Sequence, residues 1–146
     1  MVSGNDGYGP SFLEEPEFER RMAFIVDFPV DKIMLGVCRW AQAQALQQGA
    51  KFDNLEIPER SPTSTVVVDG DDELMRGMPA RFLIHADHRQ RLDSASLPLN
   101  YKVIASSPNC RVSVVRIVGT KHWLSQNHLE FGKYTAKQML RNLLDV

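Results

Sequence analysis

The 146-residue sequence has little cysteine, and its two cysteines, Cys38 and Cys110, are far apart and match no metal-binding spacing. Both have apolar neighbours, so we expect them to be small buried hydrophobic residues. Because cysteine is scarce and no signal-peptide pattern is present, we expect an intracellular protein, cytoplasmic or part of an assembled particle, that is not secreted.

Long hydrophobic runs are also absent. The longest ones, such as residues 33–38, are far shorter than the roughly 20 residues that a membrane-spanning helix requires. The sequence therefore predicts no membrane association.

The sequence also lacks the short motifs that identify common reactions. It contains no Gly-x-Ser-x-Gly, no phosphate-binding Gly-rich loop, no Gly-x-Gly-x-x-Gly and no His-Glu-x-x-His. These absences argue against an α/β-hydrolase elbow and against nucleotide binding, and we expect no cofactor.

What the sequence does contain is an uneven distribution of charge. Residues 1–78 carry 14 acidic and 7 basic side chains, whereas residues 79–146 carry 4 acidic and 10 basic ones. Such a division is typical of an interaction tail or of a charged partner surface.

The acidic excess begins in a segment that has little to bury. Residues 1–22 are rich in glycine and polar residues and carry a run of glutamates, so we expect a flexible acidic N-terminal arm followed by one α+β domain over residues 23–146. The four glutamates of the run are Glu14, Glu15, Glu17 and Glu19.

Hydrophobic periodicity predicts an α+β fold. A long helix over about 32–48, with Asp31 as its N-cap, packs against a mostly antiparallel sheet of four to five strands. A C-terminal amphipathic helix covers about 135–145. Strands are expected at 63–68 and 81–86 and in a hairpin of 101–106 with 110–118, whereas 51–63 and 87–100 are expected to be loops.

Two groups of residues could hold a metal. Asp69 and Asp71 follow an apolar strand, where carboxylates can bind Mg²⁺, and His85 and His88 could share an ion with His122 or His128. Both groups also have explanations without a metal. Asp69 and Asp71 fit an Asp-Gly turn before the acidic start of a helix, and His85 and His88 fit polar histidines of a loop. Those alternatives are the favoured interpretation.

A nucleophile and a nucleic-acid surface remain open. Cys110 with His122 could form a cysteine–histidine pair, although nothing in the sequence indicates an activated thiol. Basic residues interleaved with aromatic ones in the second half could bind a single strand of nucleic acid, although solvated charge is the favoured explanation.

We therefore predict a non-enzymatic structural or adaptor subunit of a larger macromolecular assembly, with virion particles as one candidate, which binds a protein partner or further copies of itself. The glutamates of residues 1–22 would contact a basic surface of a neighbour made of Arg89, Arg91, Arg111 and Arg116. The alternatives are a nucleic-acid-binding module that uses residues 79–146, and a small metal-dependent enzyme.

Overall fold

A computed structural model describes Arg20, residues 23–25 and residues 27–145. The described residues form six strands and two α-helices, joined in part by short 3₁₀ turns. In chain order these are β1 (Met34–Val37), α1 (Arg39–Gln47), β2 (Phe52–Val67), β3 (Arg81–Leu92), β4 (Tyr101–Ser106), β5 (Val114–Ile117), β6 (His122–Ser125) and α2 (Thr135–Leu144).

The six strands form one mixed sheet in the order β1-β6-β5-β4-β2-β3. Strands β1 and β6 are parallel, and every other pair is antiparallel. Helix α1 packs on one face beside Leu124, and α2 packs on the other beside Trp123. The predicted sheet of four to five strands against one long helix is therefore wrong.

The predicted helix over 32–48 is two elements. Its first half is β1, which is wholly buried and pairs with β6, and its second half is α1, with Cys38 between them. A buried parallel strand is apolar at every position, so its sequence cannot be distinguished from that of a covered helix. Asp31 caps no helix here and instead lies 3.7 Å from Lys32 in an exposed ion pair.

The first predicted long loop, 51–63, lies almost wholly in a strand, whereas only residues 87–92 of the second, 87–100, do so. Strand β2 occupies the 51–63 segment despite Pro58 and Pro62, and β3 continues through Leu92. Among the described residues, β2 pairs over most of its length only with β3, since β4 reaches it only at Val66 and Val67, and the register shifts between Asn54 and Glu59. Proline is tolerated where one side of a strand is unpaired and at bulges, which accounts for both prolines.

The C-terminal half is closer to expectation. Strands β4 and β5 form the predicted antiparallel hairpin, and α2 ends one residue before the predicted boundary. Asn142 of this helix is buried and donates to the carbonyl oxygens of Leu74 (2.9 Å) and Arg76 (2.7 Å). These bonds attach α2 to the 3₁₀ turn at Glu73–Met75.

Strand β3 contacts both the helix after Cys38 and the turn after β6. The carbonyl of Gln90 accepts from Gln42 in α1, and the carbonyl of His85 accepts from the backbone N–H of His128. The edge strand therefore reaches the end of the sheet where β1 and β6 terminate.

No helix in the described part of the chain is long and apolar enough to cross a membrane. The predicted arm over 1–22 lies outside the described residues, apart from Arg20.

Candidate active site

Cys38 lies at a sharp turn between a buried strand and a helix. Its backbone has φ 53° and ψ −115°, and it is the one non-glycine residue with positive φ among those that the structure describes. Such a conformation costs on the order of 1–3 kcal/mol and persists only where the surrounding structure imposes it. The Cys38 N–H donates to the Ser125 carbonyl at 2.6 Å, which extends the β1–β6 ladder to the turn itself.

Gly36 allows the turn to be this tight. A Cβ at this position would lie 2.9 Å from Cδ2 of Leu124 and 3.5 Å from the backbone nitrogen of Ala41. Gly36-Val37-Cys38 therefore matches the start of a nucleophile elbow, a strand–turn–helix that presents a side chain at the end of a sheet. Trp40 occupies the position of the second glycine in that pattern, and its side chain is buried beside Ile25.

His128 and Glu130 follow the neighbouring strand. Nδ1 of His128 lies 2.8 Å from Oε1 of Glu130, and the two side chains are 10% and 19% exposed. Because β1 and β6 are parallel neighbours, residues that follow their carboxyl ends lie at the same edge of the sheet. Cys38 and the His128–Glu130 pair are therefore placed at one edge.

Aromatic and backbone contacts hold His128 in place. Its backbone N–H donates to the His85 carbonyl at 2.8 Å, and its ring centroid lies 5.3 Å from that of Phe131. The His85 ring packs edge-on against Phe131 at 5.2 Å. An imidazole with one nitrogen on a carboxylate and a fixed ring plane is oriented for proton transfer through its other nitrogen.

A buried polar chain that starts at the Gln90 backbone ends at Cys38. Nε2 of Gln42 donates to Oε1 of Gln126 at 2.7 Å and to the Gln90 carbonyl at 3.1 Å. Nε2 of Gln126 lies 4.0 Å from Sγ of Cys38. Cys38 therefore has an amide donor beside its sulfur.

The acidic loop that was considered as a metal site serves the structure instead. Asp69 forms an ion pair with Lys102 at 2.5 Å, and the hydrogen bond from Lys102 is the main reason that the pKa of Asp69 is lowered. Asp72 caps the 3₁₀ turn and accepts from the indole of Trp123 at 2.9 Å, and burial raises its pKa. The backbone N–H of Asp71 donates to Asp69.

The two candidate metal histidines do not face each other, because β3 continues through both. His85 lies against Phe131, whereas His88 is buried on the core face with its Nε2 3.0 Å from Oε2 of Glu59. Within the described residues, no group of three or more histidine, cysteine or acidic side chains is arranged to hold a metal ion.

Cys110 and His122 also lie in separate surroundings. Cys110 is fully buried, and burial raises its pKa to about 12. The His122 ring instead meets the Pro29 carbonyl at 3.1 Å. A thiol that stays protonated in an apolar pocket is a structural residue rather than a nucleophile.

The predicted basic surface is partly neutralised within the chain. Arg91 contacts Asp53 at 3.7 Å and donates to the Asn109 carbonyl at 2.7 Å. Arg116 pairs with Glu73 at 3.3 Å and lies 3.8 Å above the Trp123 ring. Arg89 and Arg111 are exposed. The glutamates Glu14, Glu15, Glu17 and Glu19 lie outside the described residues.

Comparison with known proteins supplies the family. Residues 10–145 match the family model described as glutamine amidotransferase class-I. The chain belongs to the class-I glutamine amidotransferase family.

Two curated relatives are GMP synthases. A glutamine-hydrolyzing GMP synthase of Porphyromonas gingivalis is 29% identical over 114 residues, which are 77% of this chain and 22% of that protein. A subunit of the glutamine-hydrolyzing GMP synthase of Ignicoccus hospitalis is 31% identical over 109 residues, 75% of this chain and 56% of that protein. The chain thus spans from about a fifth to somewhat more than half of these relatives.

Solved structures share the fold. A protein assigned as a GMP synthase subunit from Thermoplasma acidophilum superposes with a TM-score of 0.77 at 24% identity, over 90% of this chain and 65% of that one. A glutamine amidotransferase from Thermotoga maritima gives 0.68 at 20% identity, over 95% and 60%. At these identities the likeness establishes the fold.

The family overturns the functional prediction from the sequence. A non-enzymatic structural or adaptor subunit of a larger macromolecular assembly is wrong, because the family is enzymatic. The family description names neither nucleic-acid binding nor a metal.

Sequence reasoning missed Cys38, His128 and Glu130 as a group. The available signal was an apolar run ending in Gly36-Val37-Cys38 with helical periodicity after it. A search for Gly-x-Ser-x-Gly does not find this segment, because Cys38 occupies the serine position and Trp40 occupies the position of the second glycine. The His-x-Glu spacing is too short a motif to find without the fold.

Proposed function

We propose that this chain hydrolyses the side-chain amide of glutamine and thereby releases ammonia, with Cys38 as the nucleophile. The proposal is carried by one observation: a strained cysteine elbow lies at the same sheet edge as a histidine held by a carboxylate. A nucleophile, a base and a residue that orients the base are the three parts of a cysteine-dependent acyl transfer. The family name supplies glutamine as the acyl donor.

In the first half-reaction, His128 takes the proton of the Cys38 thiol, the sulfur attacks the amide carbon of glutamine, a C–S bond forms and the carbonyl electron pair moves to oxygen. The backbone N–H of Arg39, which follows the nucleophile, is where an elbow donates to such an oxyanion. When the carbonyl re-forms, the C–N bond breaks. His128, as imidazolium, gives its proton to the departing nitrogen, which leaves as ammonia and a thioester remains.

In the second half-reaction, His128 takes a proton from water as the oxygen attacks the thioester carbon. The C–S bond breaks, His128 returns the proton to the departing sulfur, glutamate is released and the Cys38 thiol is regenerated. Glu130 holds the imidazole through its Nδ1 contact in both halves and stabilises the imidazolium form.

The ammonia serves a synthetic reaction elsewhere. Two relatives are named as subunits of GMP synthase, and others are longer proteins in which a chain like this one is a minor part. We therefore infer a protein partner, or a further segment of a longer polypeptide, that consumes the ammonia. The proposed partner is thus a protein rather than a nucleic acid.

Glutamate release from L-glutamine by the purified chain, alone and with a candidate ammonia-using partner, tests this function. Cys38→Ala should lower the rate at least about 10³-fold, since the sulfur forms the covalent intermediate. The matched control is Cys110→Ala, which should retain the rate because that thiol is buried away from the elbow.

If Cys38→Ala and Cys110→Ala lowered the rate of glutamate release equally, Cys38 would not be distinguished as the nucleophile. Full activity in Cys38→Ala would overturn the proposal. Trapping of a glutamyl thioester at Cys38, detected by mass spectrometry, would support it directly.

A further inference from the structure

We propose that Gln126 fixes the Cys38 sulfur for attack, and that Gln42 is a positioning residue which holds Gln126 with its amide N–H towards that sulfur. This inference rests on Cys38 being the nucleophile of the proposed reaction. It assigns roles to two buried glutamines that take no part in the proposed acid, base and nucleophile steps.

The orientation of both amides follows from one atom that cannot rotate. The Gln90 backbone carbonyl can only accept, so Gln42 must present its NH₂ group to it at 3.1 Å. That same NH₂ group lies 2.7 Å from Gln126, which must therefore present its oxygen to Gln42. The other end of the Gln126 amide, its NH₂ group, then faces Sγ of Cys38 at 4.0 Å.

The backbone of β3 anchors this chain of donors. Nδ1 of His88 lies 3.1 Å from the same Gln90 carbonyl, and its Nε2 lies 3.0 Å from Oε2 of Glu59. Since His88 and Glu59 are opposite each other in the β2–β3 register, the carbonyl is fixed by two strands. We call the series from the Gln90 carbonyl through Gln42 and Gln126 to Cys38 the relay. Its first member, the Gln90 carbonyl, therefore has little freedom to move.

Further bonds restrict Gln126. Its backbone N–H donates to the Ser113 carbonyl at 2.8 Å, and it directly follows Ser125, whose carbonyl accepts from Cys38. Gln126 is thus held by the turn after β1, by the residue before β5 and by α1. Losing Gln42 removes the contact that determines which end of the Gln126 amide faces the sulfur.

The test uses the full chain in a Cys110→Ala background, where Cys38 is the remaining cysteine of the two. The rate of Cys38 alkylation by iodoacetamide at neutral pH reports how reactive the sulfur is, without needing glutamine. Gln126→Met keeps the side-chain length and removes the donor, and we expect a fall of about tenfold. Gln42→Met should lower the rate about three- to tenfold.

Two further variants separate positioning from damage to the fold. Gln47→Met is the matched control, because Gln47 is exposed at the end of α1 and makes none of these contacts, and the rate should be unchanged. In the double variant Gln42→Met/Gln126→Met, the rate should equal that of Gln126→Met alone, because Gln42 acts through Gln126.

The proposal would be overturned if the fold-decrease in alkylation rate of the double variant were the product of those of the two single variants. An unchanged alkylation rate in folded Gln42→Met would also overturn it. If Gln42→Met does not fold, Gln42→Glu replaces it with the same expectation, since it presents oxygen to the Gln90 carbonyl. Glutamate release is measured in parallel. Loss of glutamate release in every variant and in the parent, with the alkylation pattern intact, would reject the proposed function but not the relay.

Discussion

The same three residue types occur together twice in this molecule. At the edge of the sheet, Cys38 accompanies His128 and Glu130, whose side chains meet at 2.8 Å. Between β2 and β3, a His88–Glu59 contact of 3.0 Å is accompanied by Cys110, whose thiol is influenced by the Glu59 charge. We refer to these as the edge set and the interior set.

The two sets differ in burial and in backbone. In the interior set the His88 and Glu59 side chains are 2% and 7% exposed, and Cys110 is fully buried and stays protonated to a pKa of about 12. The edge set lies after strand ends and includes the strained Cys38 turn. Placement at a strand end, rather than residue type, therefore distinguishes the proposed reactive group from the structural one.

Replacing the edge histidine should have the largest effect. His128→Ala removes the proposed acid and base, and kcat/KM for glutamate release should fall about 10²–10⁴-fold with little loss of stability. Steady-state kinetics with thermal unfolding of the same preparation checks this. Retention of activity would remove the distinction between the two sets.

Replacing the interior histidine should lower stability instead. His88→Leu leaves the buried Glu59 carboxylate without its partner, which typically costs about 3–5 kcal/mol. Urea denaturation measures this cost. The double variant Glu59→Leu/His88→Leu should recover part of it, because no isolated charge then remains. A neutral single variant would show that the contact has no structural role.

Acid should weaken the interior set through Glu59. Burial alone would raise the pKa of Glu59, but hydrogen bonds from His88, Thr63 and Ser107, together with the charge of His88, lower it overall. A lowered pKa gives stability that is complete above the ordinary glutamate range and is lost as the pH falls below it. The fall in the urea midpoint between pH 7 and acid should be smaller in Glu59→Gln, and an identical fall would exclude Glu59 as its source.

The interior cysteine should matter least. Cys110→Ala removes a buried sulfur that bonds only weakly to the Val112 carbonyl, at 3.3 Å, so we expect a cost of about 1 kcal/mol and unchanged glutamate release. Urea denaturation and the glutamine assay together check this. A large loss of activity would mean that the interior set takes part in the chemistry.

Local patterns predicted some elements and could not predict others. The hairpin and the last helix could be predicted from the sequence, because turn residues at 107–109 and an apolar stripe around Met139 mark them locally. Strand β1 could not be predicted in this way, because its burial comes from pairing with β6, some 85–90 residues later. Strand β2 could not be predicted either, since its prolines are tolerated at a bulge and along a side that, within the part of the chain that the structure describes, has little strand pairing.

The site was less predictable than the fold for a similar reason. Cys38 and His128 are 90 positions apart and lie at the same edge of the sheet only because two parallel strands end together. The charge asymmetry, by contrast, was visible and misleading. Several of its members, among them Asp69 with Lys102 and Glu73 with Arg116, pair with each other inside the chain.

Residues of strand β3 contact both the edge set and the interior set at a fixed spacing. Its position 85 contacts His128, its position 88 contacts Glu59 and its position 90 contacts Gln42, all along one continuous strand. An inserted or deleted residue within 85–90 would turn every later side chain to the opposite face. Loops at either end of β3 can vary in length without this penalty, but the spacing inside the strand is a fixed dimension of the molecule.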